Sequence, residues 1–352
     1  MIFNNIDSFG VLNQVIEDFF DLDYLESRLK KNTKGFWKKE IYLVSPHLMD
    51  ILYPPNKRRG IDFDKMFKNY TINIERFDLP KWRVYENQRN IAIGLYVHDF
   101  NSSRYEKRII KKLQYAVFSK IKNIAGPVIF ICPERIRDIA LSDFDNYVSI
   151  KDFGSNENTI SLGNFQKSPL SHYSNVMNVL FLKVCLHEMA HHYMCFGKST
   201  RKIKFVKVNK VAEKLIEESL ANVFAWSQFN DPEELKIIGS FMDSQPFEYK
   251  AYRYWIKNGE LKNSVPFLIS SWKNRQNIFL PHFLFKSFDE IFANYFYANE
   301  YNRLSENSLN FEFDKERLNN NSILKINEEK NNWEAIAKSM IYYFYELHKK
   351  IK

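Results

Sequence analysis

The stretch His187-Glu188-Met189-Ala190-His191 has residue types and spacing that could do chemistry. On a helix, residues four apart share one face. His187 and His191 would then offer two imidazole nitrogens to one ion, a donor pair that suits tetrahedral Zn2+. Glu188 follows the first histidine by one residue. It would sit beside the ion rather than on it, placed to take a proton from an activated water. The motif lies within the apolar run from Val176 to Phe196. Imidazoles and a carboxylate are costly to bury there without a metal or hydrogen-bond partners. His192, next to a ligand, points about 100° off its face and reads as a supporting or packing residue.

A catalytic zinc site needs a third protein ligand and one open position. The run Val211 to Trp226 reads as a second helix. Val211, Leu215, Asn222 and Ala225 form one apolar face of it, and Glu218 falls on that face. Glu217 is rotated about 100° away and is expected to face solvent. Glu218 is thus the expected third ligand, and Glu188 the general base.

HEMAH, with Glu218-Ser-Leu-Ala221-Asn222-Val-Phe224-Ala225 beginning 27 residues after His191, resembles the gluzincin pattern of HExxH plus a downstream ExxA[ND]. This form is similar to that of ImmA/IrrE-type metallopeptidases, over about 50 residues. The resemblance implies a zincin-like α+β fold: an active-site helix, a ligand helix and a small mixed sheet whose edge strand holds an extended protein or peptide substrate. Thr159 to Leu162 would be that strand. Such sites often carry a further donor for the oxyanion. Candidates are His192, Asn222, Tyr252, Arg253 and Tyr254.

The elements that must position these residues follow from periodicity. The active-site helix is expected over about 173–196, with Gly197 as its stop, and the ligand helix over about 205–229. Residues 8–31 and 104–122 read as amphipathic helices, the latter burying Ile109, Ile110, Leu113, Ala116, Val117, Phe118 and Ile121. Strands are expected at Ile91 to His98, Val128 to Cys132, Tyr147 to Phe153 and Thr159 to Leu162. Further helices are expected at 233–243, 288–301 and 333–351, the last two flanking an Asn- and Glu-rich loop. Residues 1–100 read as an N-terminal region without an assigned role, 101–300 as the metallopeptidase domain, and 301–352 as a loop plus a C-terminal helix.

Composition narrows the classes. Hydrophobic residues make up 45% and charged residues 26% of 352 residues, a globular profile. Only 10 glycines are present, so phosphate-cradling loops have little to form from. Gly197-Lys-Ser-Thr200 imitates the end of a P-loop, but the first glycine would fall at His192. The three cysteines, Cys132, Cys185 and Cys195, fit neither a CxxC pair nor a disulfide framework. The N-terminus lacks the basic and apolar segments of a signal peptide, and no apolar run approaches a membrane span. A cytoplasmic location follows. The net charge of +9 is dispersed along the chain and leaves nucleic acid open as a partner. Two other readings stand beside the peptidase. One is a zinc-containing toxin-like or defence effector, or a nucleic-acid-associated protein, with a silent peptidase site. The other is a purely structural metal domain, which would have no use for Glu188.

Overall fold

A computed structural model describes residues 2–6, 10–33, 39–55, 91–142, 169–195, 210–245, 247–256 and 265–274, with Ala337 and Met340. It is an α+β protein, mostly helical, with one small mixed sheet. The elements are β1 (Phe3–Asn5), α1 (Gly10–Phe19), α2 (Leu22–Thr33), β2 (Ile41–Leu43), α3 (Pro46–Leu52), β3 (Gly94–Asn101), α4 (Glu106–Lys112), α5 (Tyr115–Ile121), β4 (Ala125–Ile131), α6 (Pro133–Ser142), α7 (Pro169–Met194), α8 (Lys210–Ser227), α9 (Pro232–Ser244), α10 (Phe247–Lys250), α11 (Tyr252–Ile256) and α12 (Val265–Asn274).

The chain divides into two units. One comprises residues 1–60, 77–195 and 221–250, the other 61–76, 196–220 and 251–352. The first holds the sheet, in the order β1-β2-β4-β3. β1, β2 and β4 run parallel, and β3 pairs antiparallel with β4 at the edge. The expected boundary near residue 100 falls inside β3. Helix α7 packs against β3, β4, α1, α2, α6 and α9. Every residue from Val176 to Ala190 is consequently buried, including Lys183, whose ammonium lies 4.9 Å from the centre of the Phe241 ring. A helix apolar on all sides is one that its neighbours surround. The second unit includes the α8 residues up to Leu220, α11 and α12. Trp255 donates there to the Ser219 hydroxyl at 2.9 Å.

Several expected elements are divided or shifted. The helix over 8–31 is two, because the Asp21 carboxylate accepts from Tyr24 N at 2.9 Å and starts α2 as its N-cap. The helix over 104–122 breaks at Leu113 and the extended Gln114. The break resets the helical phase, so Ile109, Val117, Phe118 and Ile121 are buried while Ile110 and Ala116 are exposed. The expected strand from Ile91 begins at Gly94, where pairing with Ile131 begins. β1 and α6 lie beyond the sequence reading. α6 opens on Pro133, and its Arg135 reaches the Ala92 carbonyl and the Asp50 carboxylate, both at 2.8 Å. Helices expected at 173–196, 205–229 and 233–243 are observed as α7, α8 and α9. The strands at 147–153 and 159–162, the Gly197 stop and the helix at 288–301 fall outside the described residues. So do the 305–332 loop and, apart from Ala337 and Met340, the helix at 333–351.

Candidate metal centre

α7 brings His187 and His191 together on one face, one turn apart. Their Nε2 atoms are 3.1 Å apart and the rings meet nearly edge-on, at 82°. His187 is buried and its Nδ1 lies 2.7 Å from Asn222 Oδ1. The amide is itself oriented, because Asn222 Nδ2 donates to the Tyr249 carbonyl at 2.9 Å. Its oxygen therefore faces His187, so Nδ1 carries the proton and Nε2 keeps its lone pair. That is the form an imidazole needs to bind a metal through Nε2.

Asn222 sits on α8, and Glu218 precedes it by one turn of the same helix. Ligand atoms of His187, His191 and Glu218 all lie within 4.8 Å of one another. Two imidazoles on one tetrahedral ion, each about 2.0–2.1 Å from it, hold their nitrogens ~3.3 Å apart. The observed 3.1 Å fits, and a set of two nitrogens and one carboxylate suits zinc. Glu217 differs from expectation. It is half-buried rather than solvent-facing, and its carboxylate accepts from the Trp272 indole at 3.3 Å. Burial of this side of α8 beneath Trp272 could not be read from helical phase alone.

Glu188 is buried against β3 at Gly94. A Cβ on Gly94 would lie 2.5 Å from Glu188 Oε1 and 2.8 Å from Val184 Cγ1, closer than real side chains approach. The missing side chain is what allows strand and helix to meet here. Two residues along, Tyr96 projects from the same face of β3. Its hydroxyl lies 3.0 Å from His192 Nδ1 and 2.9 Å from His98 Nδ1. Burial, then the neighbouring Cys195 and Asp99, holds this phenol well above its usual pKa. His192 thus turns towards β3 rather than lying with the ligand pair. Burial also pushes the Cys132 thiol up to about 12 and raises Cys185 well above the usual range, as expected of reduced packing thiols.

The structure brings together His187, His191, Glu218 and Asn222, with Glu188 alongside. Tyr252 and Tyr254 are buried residues of α11, Arg253 is exposed there, and all three belong to the second unit. Sequence reasoning missed Gly94, Tyr96 and Tyr249. The alternation in Ile91 to His98 does put Gly94, Tyr96 and His98 on one face, but nothing local says that this face meets α7. No family profile matches the chain, and no curated protein or solved structure matches it either. Among the described residues, no helix is long and apolar enough to cross a membrane.

Proposed function

We propose that this chain is a zinc-dependent peptidase with a zincin-like fold, acting on a protein substrate in the cytoplasm. The observation that carries this reading is the convergence of His187, His191 and Glu218, with Glu188 next to the first ligand. Three protein ligands leave a position for water or substrate, as catalytic zinc requires. Zinc held there would polarise the scissile carbonyl and lower the pKa of the attacking water. Glu188 would take a proton from that water and deliver it to the leaving amine as the C–N bond breaks. Asn222 keeps His187 in the tautomer that binds through Nε2. β3 is an edge of the sheet as described, and an extended peptide can add to such an edge through main-chain hydrogen bonds. A peptide on β3 would pass Gly94, and therefore Glu188.

Purified protein should hold about one zinc per chain by elemental analysis. Glu188→Gln should keep the zinc and the fold while hydrolysis drops by at least about 10²-fold. Comparing the peptides of cells that express either protein supplies the substrate. Cleavage products confined to wild-type cells would support the reading. Identical products from both proteins, each loaded with zinc, would sink it.

A further inference from the structure

His187 and His191 are held in unlike surroundings. His187 lies in the middle of α7, buried, with the Asn222 amide on its ring. His191 lies in the last turn, three residues before the helix ends at Met194, and is only partly buried. A helix end has unsatisfied carbonyls and opens more easily than its middle. A ligand in such a turn keeps its direction only if the turn is gripped from outside.

Among the described residues, the contacts on it include one from Phe224 and one from Tyr96, whose hydroxyl also meets the Cys195 side chain. Tyr193 meets the Phe224 ring edge-on at 5.5 Å, an apolar contact that leaves some freedom to slide. His192 is held by the Tyr96 hydroxyl, which is directional. Tyr96 is fixed in turn by His98, where β3 shifts register against β4 between Val97 and Phe100. The hydroxyl has one proton for two ring nitrogens, so at least one imidazole donates its own Nδ1 proton to the phenol oxygen. At Gly94 the same strand is already pressed against the same helix. Strand and helix therefore stay in fixed register from the base to the last turn.

Resting on the metallopeptidase reading above, we propose that Tyr96 is a positioning residue for the metal: its bond to His192 locks the last turn of α7 onto β3 and keeps His191 aimed at the ion. Tyr96 does not touch the metal, and it acts through the residue beside the ligand. Loss of such an outer partner typically weakens metal binding about 10- to 100-fold.

The test measures zinc affinity of the full chain by competition with a chromogenic chelator, together with the visible spectrum of the cobalt-substituted protein. Tyr96→Phe retains the ring and removes only the hydroxyl. It should weaken zinc binding by about tenfold or more and shift the cobalt bands. His192→Ala breaks the same bond from the helix side and should do the same. His192→Asn, which puts an amide where Nδ1 was, should restore most of the affinity. The double variant Tyr96→Phe/His192→Ala should be no worse than Tyr96→Phe alone, which already removes the bond to His192 along with the contact to Cys195. Zinc binding by Tyr96→Phe within about twofold of wild type, with an unshifted cobalt spectrum, would overturn the proposal. So would fully additive losses, since Tyr96 would then not act through His192. A wild-type chain that binds no zinc would instead remove the metal reading itself, and this proposal with it.

Discussion

At the Gly94 end of the seam between β3 and α7, strand and helix touch with nothing between them; at the Tyr96 end they are joined through a shared hydroxyl. The first contact is steric and buried. It sets how closely Glu188 approaches the strand. The second is polar and half-buried, and it sets direction. On the proposed function, a general base would need a fixed distance to its water and a metal ligand its lone pair aimed, and each end of the seam would supply the constraint suited to the group beside it.

The strongest way to break this arrangement is to remove its purpose. Glu218→Ala should bring zinc from about one per chain to near none, while Glu217→Ala should keep it and lose the Trp272 hydrogen bond. Elemental analysis of the two variants decides between them, and the opposite result would make Glu217 rather than Glu218 the proposed third ligand.

Filling the steric end comes next. Gly94→Val should retain zinc but displace the Glu188 carboxylate, and a misplacement of about 1 Å costs on the order of 10² in rate. Overpacking should also lower unfolding stability by about 1–3 kcal/mol, read by denaturant titration. Wild-type turnover from this variant would mean that Glu188 does not depend on the strand.

The smallest expected effect sharpens the contrast between the two histidines. Asn222→Ala should weaken zinc binding about 10-fold, because His187 loses the acceptor that fixes its tautomer. Asn222→Asp retains that acceptor but sets a buried carboxylate oxygen against the Tyr249 carbonyl, so it should recover only part of the loss. Chelator competition measures both, and equal losses in the two variants would show that the amide acts through packing alone.

Part of this site was legible before any fold was known. HExxH on a helix is a local statement: four residues of spacing put His187 and His191 on one face whatever surrounds them. Helical phase on α8 is local too, and it is Glu218 whose carboxylate lies within 4.8 Å of the histidine donors. Other local signals were present but overrun. Asp21 is a capping residue within a continuous apolar period, and periodicity alone joined α1 to α2 across it. At Leu113 and Gln114 no breaker marks the division of α4 from α5, and burial of Ile109 and Val117 in separate helices settled it.

The sequence by itself determined the His187 and His191 pair, its spacing, the carboxylate beside it, the phase of Glu218 on its own helix and the mixed α+β class, because each depends on local residue pattern. Only the tertiary structure decided that β3 lies against α7, that Gly94 must lack a side chain to admit Glu188, and that Tyr96 reaches His192. β3 and α7 are separated by about seventy residues of chain. Which face of a strand meets which face of a distant helix is settled by packing of the whole core, and no local pattern encodes it.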